Sequence, residues 1–333
     1  MMARSAKSED ESLPFAVRLK AWWEGYDPDE VRAYMRARNA RRKPPPPPEP
    51  PKPSSEVNPD DIDLPFDPWD SNRAEVAQYI WGAGYCGPGG PEYIVSMSKL
   101  LSLSPKQSLL EIGSLLGGPA RTLADKFGTW VTGYEASAKL TELANEKSEM
   151  AGMAKKAVIH HYDPETIEEF DRKFDRAFAK EALFTIENKT HLLDLVEQHL
   201  KPSGLFLITD FVLGNESVYA KDSYREWRDA EAQRRRPYMV TPDQLVEMAK
   251  KAGFTVRVNE DVTDAYLELI NKAWAGADKV AEKIAERDDG EALLKTLLHE
   301  AEFWSHRARM LDSGDLRLWR ILASKKAEKP SMM

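Results

Sequence analysis

Short apolar runs alternate with longer amphipathic stretches from about Asp63 onward, and the alternation reads as strands and helices in turn. Leu109–Ile112 is a compact buried strand, followed by a helix over Pro119–Phe127. Trp130–Tyr134, Val158–His161, Phe174–Ala179 and Leu205–Asp210 read as further strands, with helices over Ser137–Ala151 and Lys189–His199. A helix over Pro242–Ala252, a strand over Phe254–Asn259 and a last strand over Leu316–Ala323 complete the pattern. Strands separated by helices at this spacing predict right-handed βαβ units and a mostly parallel sheet. Between Asp264 and Leu311 the pattern is almost wholly helical, an insert placed just before the last strand.

The N-terminal part has a different texture. Eight of the ten residues Pro44–Pro53 are proline, which predicts an extended, semi-rigid spacer. Ahead of it, Asp27-Pro28-Asp29-Glu30 is a helix start, and the basic stretch through Arg41-Arg42-Lys43 suits a helix C-terminus. The expected organisation is a basic element over 1–43, a linker over 44–60, a main domain over 61–326 with its helical insert at 264–312, and a tail over 327–333. Two readings of the N-terminal piece stay open. One is a docking element for a protein partner that uses residues 13–53, since Pro-rich segments lie in aromatic grooves. The other is a solvated, partly disordered tail.

Composition narrows the function classes. Residues 1–58 carry 11 basic and 9 acidic side chains, whereas the rest carry 36 and 46. An acidic body is a poor match for phosphate backbones, so no nucleic-acid partner is expected. With Cys86 the sole cysteine, neither an intrachain disulfide nor a cysteine zinc cluster can form, and no metal is expected. No run approaches the length of a membrane span, and the opening residues lack an apolar signal core. The expectation is a cytoplasmic protein.

The chemistry concentrates at Glu111-Ile112-Gly113-Ser114-Leu115-Leu116-Gly117-Gly118. A strand, a glycine turn and a helix let backbone amides approach a nucleotide closely. Glu135 ends the second strand, 24 residues beyond Glu111, where an acid can accept both hydroxyls of a ribose. Asp210, read as the tip of the fifth strand, lies where ligands of such sheets gather.

These residues resemble the first motif of the class I S-adenosylmethionine (SAM) methyltransferases, an acid followed by Gly-x-Gly-x-Gly, with Leu115 in place of the central glycine. His160-His161-Tyr162-Asp163 is similar to their third motif, Phe174–Leu183 to their fourth-strand motif, and Leu200-Lys201-Pro202-Ser203-Gly204 to their Leu-Lys-Pro-Gly-Gly turn. Ile80–Gly90 resembles the segment that covers SAM in the phosphoethanolamine and sarcosine/dimethylglycine N-methyltransferases. The resemblance implies a Rossmann-like α/β domain with a seven-stranded, mostly parallel sheet. It implies SAM as cofactor, held by Glu111, Gly113, Ser114, Gly117, Gly118, Glu135, Asp163, Lys180, Glu181, Gly89 and Gly90. Asp210 and Tyr85 are the candidate catalytic residues. The Tyr/His pair of the phosphoethanolamine enzymes is not matched, since Ala77 and Thr185 occupy those positions. The expected activity is methyl transfer to a small acceptor, an amine nitrogen in preference to oxygen. The alternative is a SAM-binding scaffold without turnover that docks a partner through its N-terminal extension. Arg234-Arg235-Arg236, at the end of a polar helix read over Tyr224–Arg236, would favour an anionic acceptor if it lines the site. The helical insert is a candidate lid or homodimer face.

Overall fold

The computed structural model describes residues 68–327, so the basic element, the proline-rich linker and the end of the tail lie outside the described residues. Seven strands form one sheet in the order β3-β2-β1-β4-β5-β7-β6. They are β1 Ser108–Ile112, β2 Trp130–Glu135, β3 Ala157–His161, β4 Phe174–Lys180, β5 Leu200–Leu213, β6 Thr255–Asp261 and β7 Leu316–Ser324. The first five run parallel, and β7 is inserted antiparallel between β5 and β6. The chain starts in the middle of the sheet, builds outward through β2 and β3, then crosses to β4. The order therefore reverses between β1 and β4, the topological switch point at which open α/β sheets bind ligands beyond their carboxyl ends.

The helices are α1 Ser71–Trp81, α2 Gly90–Ser98, α3 Gly118–Phe127, α4 Ala138–Met150, α5 Lys189–His199, α6 Asp222–Ala232, α7 Pro242–Lys251, α8 Thr263–Trp274, α9 Ala277–Ala285 and α10 Gly290–Asp312. Local chemistry sets several of their starts. The Ser137 hydroxyl accepts the Leu140 amide at 3.0 Å, Asn188 accepts that of His191 at 3.1 Å, and Thr241 with Gln244 forms a reciprocal capping box. The β1 side chains are buried from Leu109 to Ile112, as expected for a central strand covered on both faces.

Three boundaries differ from the sequence expectation. Strand β5 begins five residues early, at Leu200, which pairs with Phe174 before a register shift brings Leu205 opposite Arg176. The Lys-Pro-Ser-Gly turn sits in that irregularity, with Ser203 at φ 61°. At its other end β5 runs on to Leu213, so Asp210 is inside the strand rather than at its tip. Helix α6 ends at Ala232, which leaves the three arginines in the following turn. Helices α1 and α2 had no periodicity strong enough to be predicted.

The helical insert is α8, α9 and α10, and α10 packs on α1. Trp81 of α1 meets Trp304 of α10 at 4.6 Å and Trp274 of α8 at 6.1 Å between ring centroids. All three tryptophans are buried. This aromatic joint attaches the insert to the sheet's carboxyl-end side, above the switch point. Among the described residues no helix is long and apolar enough to cross a membrane.

Candidate active site

A cavity of about 420 Å³ opens beyond the carboxyl ends of β1, β2, β3 and β4. By chain origin, its β1–β3 end supplies Gly113, Leu115, Glu135, His161 and Tyr162, and the end supplied by β4 and the later elements is Glu181, Thr185, Arg235, Phe303 and Arg307, with Arg235 near enough to Tyr162 for its charge to act there.

At the first end the glycine turn is shaped by close packing. Gly113 has φ +74°, and a Cβ there would lie 2.6 Å from the Ala182 Cβ, so a side chain would push the β1 and β4 turns apart. Gly118 opens α3 under the Gly82–Gly90 loop. Its amide donates to the Gly84 carbonyl at 3.0 Å, and an added Cβ would meet that oxygen at 2.3 Å. Leu115 takes φ +49° and lines the cavity. Its amide donates to Glu135 Oε2 at 2.7 Å, while Oε1 accepts the Ser137 amide at 2.9 Å. Glu135 is thereby fixed at the end of β2 with its carboxylate facing the cavity.

A leucine in the left-handed region carries about 1 kcal/mol of backbone strain. Relief of that strain opposes the lost packing and the added unfolded-state entropy of glycine. Leu115→Gly is therefore expected to change stability by less than about 1 kcal/mol, well short of the ~2–5 kcal/mol that removal of a buried leucine costs. Urea denaturation checks this, and a loss above 2 kcal/mol would show that the side chain is a packing element.

The residues present fit SAM. Glu135 is placed for ribose hydroxyls, and Gly113 brings backbone close. Beside it, Glu111 Oε2 and Ser114 Oγ are buried and have no partner at hydrogen-bonding geometry. Burial pushes the Glu111 carboxyl up to about 8, although Ser114 and Arg121 both favour its charged form. A cationic, amine-bearing ligand beside Gly113 would suit this under-satisfied acid.

The sequence-predicted residues separate into three groups. Gly113, Glu135, Lys180 and Glu181 line the cavity. Glu111, Ser114, Gly117 and Gly118 build the turn behind it, and Gly89 and Gly90 form the start of α2 without lining it. Asp163 is exposed and accepts the Glu165 amide at 2.9 Å and the Thr166 hydroxyl at 3.0 Å. The adjacent Tyr162 lines the cavity in its place.

The two catalytic candidates need correction. The Tyr85 hydroxyl bonds Thr122 at 2.6 Å on α3, burial raises its pKa to about 12, and the ring packs on Gly118 rather than entering the cavity. Asp210 is 1% exposed and accepts the Phe211 amide at 2.9 Å. Being interior to β5, it does not line the cavity. Ala77 is buried in α1, and the nearby Tyr79 hydroxyl accepts from Arg287 at 2.8 Å on the protein surface. Thr185, in contrast, does line the cavity, and its hydroxyl donates to the Ala182 carbonyl at 3.1 Å. His191 binds the Ile167 carbonyl at 2.7 Å, a structural role.

The second end was barely visible in the sequence. Glu181, at φ +47°, accepts from the Thr209 hydroxyl and the Tyr266 hydroxyl, each at 3.0 Å, and pairs with Lys180. Arg307 grips Glu231 with two bonds, at 2.5 and 2.8 Å, and its guanidinium lies 4.4 Å from the Phe303 ring centre. Glu300 is shared by Arg73 at 2.9 Å and Arg234 at 2.8 Å. Burial lowers the Arg234 pKa to about 10. Three guanidinium groups thus face two carboxylates, and Arg235 adds a fourth positive charge at the cavity wall.

The strand order, the acid-tipped β2 and the cavity at the switch point together define a Rossmann-like methyltransferase. A family model for a methyltransferase domain matches residues 91–258, and the chain belongs to that family. It is 25% identical over 216 residues to the phosphoethanolamine N-methyltransferase of Plasmodium falciparum, covering 64% of this chain and 78% of that one. It is 30% identical over 199 residues to phosphoethanolamine N-methyltransferase 1 of Zea mays, covering 58% of this chain but only 37% of the maize protein. Among solved structures, phosphoethanolamine N-methyltransferase 2 of Haemonchus contortus in complex with SAM aligns with TM-score 0.65 at 23% identity, over 77% of this chain and 57% of that one. A cyclopropane synthase of Mycobacterium tuberculosis aligns with TM-score 0.64 at 13% identity, over 77% of this chain and 94% of that one. At these identities the structural likenesses speak to the fold alone, and the fold hosts more than one methyl-acceptor chemistry.

Proposed function

We propose that the protein transfers the methyl group of SAM to the nitrogen of a small amine that also carries an anionic group. The observation that carries this reading is one cavity whose lining includes both Gly113 and Glu135 and both Thr185 and Arg235. Bound SAM would supply an activated methyl group. The chain supplies placement. Glu135 would hold the ribose, Gly113 and Leu115 the methionine side, and His161 and Tyr162 the far edge of the nucleoside.

At the other end Arg235 would take the acceptor's phosphate or carboxylate, since a guanidinium fork matches either. Arg73, Arg234 and Arg307 are already engaged with Glu300 and Glu231, so they set a positive field more than they bind. The Thr185 hydroxyl donates to the protein backbone and keeps lone pairs for an amine N–H. A hydroxyl is no general base at neutral pH. The amine must therefore arrive neutral and be aligned with the methyl group, and alignment alone contributes several kcal/mol. The phosphoethanolamine specificity of the relatives agrees with an amine that bears an anion.

Calorimetric titration with SAM and S-adenosylhomocysteine, followed by transfer of labelled methyl to a panel of phospho-amines, amino acids and neutral amines, tests the reading. Glu135→Gln should weaken cofactor binding about 30-fold, or ~2 kcal/mol, from the loss of charge-assisted ribose bonds. No binding of either cofactor at millimolar concentration would refute the proposal. Methylation confined to oxygen, carbon or uncharged acceptors would refute its acceptor half.

A further inference from the structure

Two segments carry the acceptor end. The first is the β4–α5 loop, residues 182–188, which contributes Ala182, Phe184, Thr185 and Ile186 to the cavity wall. The second is the turn after α6, residues 234–240, which contributes Arg234 and Arg235. No sheet ladder joins them, because both lie beyond the strands. A backbone bond from the Tyr238 amide to the Phe184 carbonyl, at 2.7 Å, spans the gap.

Lys189 spans it as well. It is the first residue of α5 yet only 3% exposed, an unusual burial for lysine. Its ammonium donates to the Ile186 carbonyl at 2.6 Å, in the first segment, and to the Tyr238 carbonyl, in the second. The Tyr238 ring centre is 5.9 Å away. Asp210, itself buried, exerts the strongest attraction on the ammonium, with Glu165 and Glu187 adding weaker attraction. Desolvation of this group is costly, so burial lowers the Lys189 pKa to about 8, while Asp210 is raised well above its usual value by its own burial. A surface-facing residue would serve to start α5 at no such cost, and this position instead spends a buried ammonium on two loop carbonyls.

We infer that Lys189 is a positioning residue that clamps the 182–188 loop to the 234–240 turn and so sets the spacing between Thr185 and Arg235. The inference rests on the functional reading above for its consequence in catalysis. Its structural part stands without it.

Lys189→Met and Asp210→Asn, compared with the full-length wild-type protein, test the clamp by two readouts. In amide hydrogen exchange, Lys189→Met should speed exchange of residues 182–188 and 234–240 at least tenfold and leave β1, β2 and β3 unchanged. In steady-state kinetics with the best acceptor of the panel, its KM should rise tenfold or more while the affinity for S-adenosylhomocysteine stays within threefold. Asp210→Asn should shift both in the same direction by a smaller factor, and it carries the test if Lys189→Met does not fold. Unchanged exchange in both segments overturns the clamp. So does a uniform rise across the domain, which a merely structural lysine would produce, or an equal loss of cofactor and acceptor affinity. If the wild type binds no cofactor, the functional reading falls, and the exchange pattern still decides the clamp.

Discussion

Replacing Arg307 with methionine is expected to cost about 3–5 kcal/mol of stability, the penalty for leaving one partner of a buried ion pair alone. The two side chains are 11% and 4% exposed, and both guanidinium bonds to Glu231 are direct. Exposed pairs are worth only ~0–1 kcal/mol, so a value in the higher range is specific to burial. Arg307 also lies within 5.0 Å of the Trp304 and Phe211 ring centres, so its loss removes cation–π contacts with both α10 and β5. Guanidinium chloride denaturation at pH 7 checks this. The double variant Arg307→Met with Glu231→Leu should recover most of the loss, because an apolar pair of similar volume often matches a buried ion pair. A single-variant cost below 1 kcal/mol would mean that water reaches the pair.

The second large effect is a pH dependence centred on Glu111. Its carboxyl titrates near 8 in the folded chain against 4.5 when exposed, mainly because burial disfavours the charge. The folded state therefore holds more protons than the unfolded state between those two values. Stability from this group is complete below pH 4.5 and is lost as the pH rises through 8. At 1.36 kcal/mol for each unit, the full span corresponds to roughly 5 kcal/mol. Glu111→Gln replaces the neutral acid with a group of the same shape that cannot ionise. The variant should be distinctly more stable than wild type at pH 8 and nearly equal to it at pH 4.5. Thermal midpoints across pH 4.5–8 check this, and parallel curves for the two proteins would remove Glu111 as the source.

Legibility in the sequence followed the range of the physical cause. The seven strands were readable because a central strand buried on both faces needs a short continuous apolar run, as in Leu109–Ile112. Glu135 and the Gly113 turn were readable because strand, turn and helix are contiguous and the second strand returns at a set distance. Tyr85 and Asp210 show the limit. The Tyr85 segment reaches the cavity only through Cys86 and Gly87, and no residue of β5 lines it, because which way a side chain points depends on neighbours that its segment does not contain. Tyr85 turns to Thr122, and Asp210 sits opposite Trp319 because β7 pairs with β5 along its whole length. The mostly parallel sheet, the acid-tipped second strand and the motifs that resemble the methyltransferase family were thus legible in local order, whereas the strand order with its switch point was not.

The arginine-rich part of the cavity wall was decided only by the tertiary structure. The Arg234–Arg236 run was legible as a candidate anion binder only on the condition that it lines the site. Arg73, Glu231, Glu300 and Arg307 are more than two hundred residues apart at the extremes, and in the sequence they look like ordinary charges on polar helices. Packing of α10 on α1 and α6 removes water from between them, and only then does their charge acquire partners, direction and a cavity to face. Hydrophobic periodicity reports which face of an element is buried, whereas the pairing of buried charges depends on which faces meet.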